Sequence, residues 1–288
     1  MNPPETLTHS LTCKAHVFNL SARPLLMGIL NVTPDSFSDG GRYYDQRQAI
    51  NHGLNLAAQG ADIIDVGGES TRPGSLPVDA DEELRRVLPV VRELAGRAGL
   101  AVSIDTMKTE VARQALDAGA CMVNDVSALS APDMAEVIAD AGVPVVLMHM
   151  STMPNSMQQH TAYDDIVADI RNYLEARITA ALTAGIALHN IVIDPGIGFG
   201  KSVDEGNFTL LARLHEFASL SCPILVGASR KAFIGTIVGD GTEARDAGTA
   251  AAVSAAVLNG AHIMRVHNIA MMRPVALIAH RIARFQCT

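Results

Sequence analysis

Side chains able to bind an anion, together with carboxylates of the kind found buried in active sites, recur at the ends of short apolar runs in this chain. Asn31, Thr33 and Asp35 follow the run at 25–30, and Asp65 lies inside the run at 63–66, which leads to Glu69, Ser70, Thr71 and Arg72. Asp105 and Thr106 follow 101–104, Asn124 and Asp125 follow 122–123, and His149 follows 143–148. Asp194 closes 191–193, Ser229, Arg230 and Lys231 come after 224–226, and Arg265 and His267 stand at the end of 263–266. Any loop shows one polar run-end; eight in series point to a single ring of binding groups.

Each of these residues also has a plainer reading. Asp65, beside Gly67 and Gly68, either braces a loop or joins the site. Asp125 reads as a helix N-cap or a loop brace next to Asn124. His149 is either a core histidine satisfied locally or a ligand. Arg265 and His267 alternate on one strand face, which favours an anion site. The run Gly196-Ile197-Gly198-Phe199-Gly200-Lys201-Ser202 lacks phosphate-loop spacing, and Lys201 takes the place of the third glycine of a dinucleotide fingerprint. Its glycines are expected to permit a tight turn and close ligand approach.

These groups need elements to hold them. The apolar runs are continuous rather than alternating, as in parallel strands buried on both faces. Between them lie segments of helical period, such as Ile50, Leu54, Ala57 and Ala58, or Ile166, Ile170, Leu174 and Ile178. Pro89 predicts a kink in the helix at 81–94. Eight repeats predict one (β/α)8 TIM barrel, an α/β fold whose site gathers at the C-terminal strand ends. A doubly wound open sheet is the alternative. The expected organisation is an N-terminal segment, 1–23, partly flexible and with a hairpin at the barrel bottom, then one barrel domain, 24–288. The loops at 31–45 and 67–79 are long for βα connections and read as lids. The Met-rich stretch at 151–160 is an adaptable cover or simple filler.

Composition narrows the partners. The chain has 288 residues, a formal charge of −8, 48% hydrophobic residues and 18% charged ones, which argues against disorder and against nucleic-acid binding. The four cysteines show no metal-binding spacing and read as reduced thiols. No apolar core of a signal peptide occurs in residues 1–16 and no run is a membrane span, so a cytoplasmic protein is expected.

The segments taken in order resemble the dihydropteroate synthases. Residues 27–41 read Met-Gly-Ile-Leu-Asn-Val-Thr-Pro-Asp-Ser-Phe-Ser-Asp-Gly-Gly and residues 65–74 read Asp-Val-Gly-Gly-Glu-Ser-Thr-Arg-Pro-Gly. Ser103-Ile104-Asp105-Thr106, Asn124-Asp125-Val126, Asp194-Pro195-Gly196, Ser229-Arg230-Lys231 and Arg265-Val266-His267 complete the pattern between Pro24 and His267. The resemblance implies a barrel that joins 6-hydroxymethyl-7,8-dihydropterin diphosphate to p-aminobenzoate, giving 7,8-dihydropteroate and diphosphate with Mg2+ as cofactor, in a homodimer.

It also implies residue roles. Asp105, Asn124 and Asp194 would hydrogen-bond the pterin, whose amidine-like edge carboxylates and amides complement, and Lys231 its carbonyl or a nearby nitrogen. Asn31, Arg265 and His267 would hold the diphosphate, with Asn31 the metal ligand, and Thr71 and Val266 would complete that set. Thr71, Arg72, Pro73, Phe37, Phe199 and Ser229 would close the p-aminobenzoate side. Asp105, Lys231 and Arg265 would carry the catalysis, which in this family runs through a pterin-stabilised cation. Ala232, Ile197 and Asn268 depart from the residues common in the family. Two alternatives are a methyltetrahydrofolate–corrinoid methyltransferase, which would need no diphosphate clamps, and a silent pterin-binding paralogue, in which broken lids are expected.

Overall fold

The apolar runs become strands in the order the sequence predicts. A computed structural model describes residues 10–33, 42–70, 75, 77–152, 157 and 161–285. β1 (Ser10–Cys13) and β2 (His16–Asn19) form an antiparallel hairpin. Eight further strands follow: β3 (Leu25–Asn31), β4 (Ile63–Gly67), β5 (Val102–Asp105), β6 (Met122–Asp125), β7 (Val145–Met148), β8 (Ile191–Asp194), β9 (Leu225–Val226) and β10 (Ile263–Val266). They pair in parallel, in the order β8-β7-β6-β5-β4-β3-β10-β9. The two ends of this sheet meet through a parallel bridge between Ile193 and Ile224, and Ile193 N–H donates to the Pro223 carbonyl at 2.9 Å. The sheet is therefore a closed (β/α)8 barrel.

Helices α1 (Arg42–Ala58), α2 (Ala80–Val91), α3 (Thr109–Asp117), α4 (Met134–Ala141), α5 (Ile166–Thr183), α6 (Gly206–Ala212), α7 (Ala232–Val238), α8 (Thr242–Leu258) and α9 (Ile269–Ala283) supply the outer ring. Asp79, Asp165 and Asn268 cap the N-termini of α2, α5 and α9 with side-chain acceptors. α2 runs through Pro89 to Val91 and is followed by a π-helical stretch, Arg92–Arg97. Pro89 has no N–H for the Arg85 carbonyl, which accepts instead from Gln46 at 3.5 Å. The helix is thus not interrupted at the proline, and the π segment begins three residues beyond it.

Strand alternation splits the core in two. Met27, Ile63, Met122, Val146, Val192, Leu225 and Ile263 point into the barrel and form one cluster with Leu11, Cys13 and Leu20 of the hairpin segment. Their neighbours Leu26, Ile64, Val102, Val123, Val145, Ile191, Val226 and Met264 point outward into a cluster shared with the helices. The hairpin plugs the N-terminal end of the barrel, with Lys14 Nζ donating to the Leu116 carbonyl at 2.9 Å. Cys13 and Cys121, distant in sequence, meet under that plug as free thiols.

Candidate active site

Two residues further along the inward rows, at the opposite end from the hairpin, the side chains turn polar. Asp65, Asp105, Asn124 and Asp194 are buried there, and Arg265 stands on β10 beside β3. Arg265 Nε donates to Asp65 Oδ2 at 2.6 Å and its Nη2 donates to Asp105 Oδ2 at 2.6 Å. Asn124 Nδ2 donates to the same Asp65 oxygen at 3.0 Å. Asp65 thereby orients both the guanidinium and the amide.

The cluster is incomplete. Asp65 Oδ1, Asp105 Oδ1 and Ser103 Oγ are buried without a hydrogen-bond partner. Such a group is costly to leave unpaired, at about 1–3 kcal/mol, and a ligand bearing N–H donors would relieve it. Burial pushes the Asp105 carboxyl up to about 7; Arg265 opposes the shift, and Asp65, Glu83 and Asp125 add to it. Burial also works against the Arg265 charge, but Asp65 and Asp105 outweigh it and hold the guanidinium protonated.

Asp194 ends β8 and accepts from the Gly196 N–H at 2.7 Å. Burial raises it to about 6, against the pull of that N–H and of Lys201, Lys231 and Arg265. Lys231, at the start of α7, reaches across so that its Nζ lies 3.8 Å from the centre of the Phe199 ring. Around Phe199, the side chains of Val126, Met148 and Met157 form a small apolar cluster with Met107 and Met150 at its edge. The glycines approach protein rather than leave room for a ligand. A Cβ on Gly196 would stand 1.9 Å from the His149 carbonyl oxygen, and one on Gly198 would stand 2.9 Å from Lys231 Cδ.

The ends of β9 and β10 are joined. His267 N–H donates to Ser229 Oγ at 3.2 Å, and Ser229 Oγ lies 2.9 Å from His267 Nδ1. Arg230 turns away from the mouth in a left-handed backbone conformation, φ +56°. Its guanidinium grips Asp246 at 2.7 and 2.9 Å, and Asn268 donates to the same carboxylate at 2.9 Å. This ties the Ser229–Lys231 turn to α8 and α9. Asn31, half-buried, ends β3 beside Gly67 of β4.

Placement separates the readings open for several residues. Val266 is an outward-facing core residue, so its side chain is turned away from the mouth. Asp125 is a loop brace, accepting from the Ser127 N–H and hydroxyl and from the Leu129 N–H. His149 faces outward and meets Lys201, whose Nζ lies 2.9 Å from its Nδ1 and 2.9 Å from its carbonyl oxygen; it is a satisfied core histidine. Thr71, Arg72, Pro73 and Phe37 lie outside the described residues. What precedes them is anchored: Lys108 Nζ donates to Glu69 and to buried Glu83, and Arg86 donates to the Gly68 carbonyl at 2.8 Å.

Sequence reasoning passed over Lys108 and Glu83 and gave Lys201 and Ser103 no role in the site. Their types carry no signal of burial, and only the barrel register brings Ser103 next to Asp65.

Comparison with known proteins agrees with this geometry. The family model described as "Pterin binding enzyme" matches residues 27–267. The dihydropteroate synthase of Escherichia coli K12 is 46% identical over 248 residues, 86% of this chain and 88% of that one. A structure of Xanthomonas albilineans dihydropteroate synthase with 4-aminobenzoic acid superposes with a TM-score of 0.89 at 46% identity, covering 96% of this chain and 98% of that one. The same enzyme in complex with 7,8-dihydropteroate gives a TM-score of 0.85 at 44% identity, covering 95% and 98%.

Proposed function

The chain belongs to the dihydropteroate synthases, pterin-binding enzymes of folate biosynthesis, and we propose that its site works as follows. 6-Hydroxymethyl-7,8-dihydropterin diphosphate binds with its pterin in the barrel mouth, against Asp105, Asn124, Asp194 and Lys231, and p-aminobenzoate takes the Phe199 and Ser229 side. The C–O bond to diphosphate breaks, the arylamine nitrogen forms a bond to the freed methylene carbon, and its proton leaves. The products are 7,8-dihydropteroate and diphosphate.

The observation that carries this reading is the buried Asp65–Arg265–Asp105–Asn124 cluster with its unpaired carboxylate oxygens. A pterin edge offers the N–H donors those oxygens need. Arg265 supplies charge to the departing diphosphate with the N–H groups it does not use on Asp65 and Asp105, and His267 adds a donor from the adjacent loop. An arylamine is a nucleophile without help, so no strong base is required. The carboxylates of Asp105 and Asp194 face the positive charge that develops on the pterin methylene, in a site where low dielectric magnifies their effect.

Magnesium enters with the diphosphate. Among the described residues no group of three or more His, Cys, Asp or Glu could hold a metal, and Asn31 offers one neutral oxygen. That donor set fits a hard cation that keeps several waters and binds mainly through substrate phosphates. When bound, the ion neutralises charge on the leaving diphosphate.

We place the enzyme in the cytoplasm as a homodimer. Cys13, Cys121 and Cys222 are buried free thiols, as a reducing compartment keeps them, and among the described residues no helix is long and apolar enough to cross a membrane. Ile237 on α7, and Ile278, Ile282 and Phe285 on or just after α9, are exposed at 70%, 63%, 49% and 67%. A second copy covering α7–α9 would bury them.

The deciding experiment combines purified protein with the dihydropterin diphosphate, p-aminobenzoate and Mg2+, and measures both products. Matched release of diphosphate and dihydropteroate is expected. Diphosphate alone, or neither product while pterin still binds, would overturn the reading.

A further inference from the structure

Lys201 is 1% exposed, the most deeply enclosed lysine of the chain. Its Nζ donates to the His149 carbonyl and faces the His149 ring nitrogen, both at 2.9 Å. Burial holds the His149 imidazole far down, at about 3, with Lys201 adding to the shift. The ring is therefore neutral, and toward a protonated Lys201 its Nδ1 serves as acceptor. Lys201 Nζ also presses on the next turn: a Cβ on Gly196 would lie 2.9 Å from it. Gly196 is the residue whose N–H bonds Asp194 Oδ1. The amine thus packs against the turn whose N–H holds the Asp194 carboxylate.

We infer that Lys201 is a positioning residue of the pterin site, which fixes the Asp194–Gly200 turn from behind the strand and supplies the buried positive charge that keeps Asp194 a carboxylate beneath the substrate. The inference rests on the assignment of Asp194 to the pterin. The groups facing Asp194 are the Gly196 N–H and Lys201 from its own loop, Lys231 from the turn after β9 and Arg265 from β10. Arg265 is already spent on Asp65 and Asp105, and Lys231 lies over Phe199. Among the described residues Asp194 is the carboxylate that acts on Lys201, whose other neighbours are His149, flanked by Tyr173 and Tyr163 at ring distances of 4.9 and 6.1 Å, and the like charge of Lys231. Burial pulls the Lys201 amine well below the usual lysine range and Asp194 pulls it back, so each group depends on the other for its charge.

The test is the pH dependence of the dissociation constant for 6-hydroxymethyl-7,8-dihydropterin in the wild type, Lys201→Met, Asp194→Asn and the double variant. In the wild type, binding weakens as Asp194 takes up a proton. In K201M that acid edge moves upward by about one pH unit. In D194N the part of the edge set by Asp194 is gone and the part set by Asp105 remains, and adding K201M shifts nothing further. Uniform weakening of K201M at every pH, or the same shift on top of D194N, would overturn the inference and leave Lys201 a structural residue. If K201M does not fold, K201Q, which keeps a donor for the His149 carbonyl but no charge, is read in the same way. Failure of the wild type to bind the pterin at all would count against the functional assignment instead.

Discussion

Arg265 and Asp105 stand 160 positions apart in sequence and meet at 2.6 Å at the mouth of the barrel. The pairing means that the group expected to receive the diphosphate also holds the carboxylate expected to face the cation. Asp105→Asn keeps the shape and removes the charge. Turnover is expected to fall by about 10²-fold, about 2.7 kcal/mol of barrier, while thermal stability changes little, because a buried charge is removed with its partner still held by Asp65. Steady-state kinetics beside a melting curve decide it. Activity near wild type would end the electrostatic role of Asp105.

Arg265→Ala differs in kind, because it strands two buried carboxylates. A loss of about 3–5 kcal/mol of stability is expected from an uncompensated buried charge, partly relieved as Asp105 takes up a proton. Calorimetry on folded protein should show weakened binding of the dihydropterin diphosphate, with the diphosphate-free alcohol much less affected. Equal weakening of both ligands would take Arg265 out of the anion site.

Much of this was legible beforehand. Continuous apolar runs revealed buried parallel strands because parallel sheets cover both faces, and the period of two placed Arg265 and His267 on one side. The hairpin was legible for the same reason. Burial of charge was not: Lys201 and Glu83 are a lysine and a glutamate like any on a surface, and only the closed barrel determines that they have no route to water. Nor could spacing tell that His149 and Asp125 point outward. One position of register separates them from Met148 and Asn124, and register is fixed by the whole sheet.

The raised carboxylates give ligand-free stability a signature in pH. Asp194 is lifted from an ordinary 3.8 to about 6, so between those values the folded state binds more protons than the unfolded one. Its contribution is full below the unfolded value and is lost as pH rises through the folded one. Asp194→Asn removes that loss. Its stability relative to wild type should therefore grow between about pH 4 and pH 7 in the absence of pterin. Denaturant midpoints across that range test the sign, and a difference independent of pH would refute it.

The exposed apolar side chains on α7 and α9 predict an assembly effect without a folding effect. Ile237→Glu and Ile278→Glu replace residues 70% and 63% exposed, so each protomer should keep its stability within about 0.5 kcal/mol. If a second copy covers this face, a charge placed there would be buried unpaired on association. Sedimentation of the double variant should then show the mass of one chain where the wild type shows two. A monomeric wild type, or a variant that still dimerises, would remove the proposed interface.

Gly196 offers the sharpest steric prediction. Its φ of +72° already disfavours any side chain, and a Cβ would fall 1.9 Å from the His149 carbonyl oxygen, a backbone atom that cannot rotate aside. Gly196→Ala must push the turn away from β7. That movement breaks the Gly196 N–H bond to Asp194 and lifts the His149 carbonyl from Lys201, leaving two buried charges less well satisfied. A loss of about 3 kcal/mol or more is expected, with pterin affinity falling in whatever fraction stays folded. Gly142→Ala is the control: it also has positive φ, +61°, but nothing lies within 4 Å of its Cβ position, so only backbone strain of about 1 kcal/mol should appear. Equal destabilisation of the two variants would show that strain alone, rather than the close approach to His149, explains the glycine at 196.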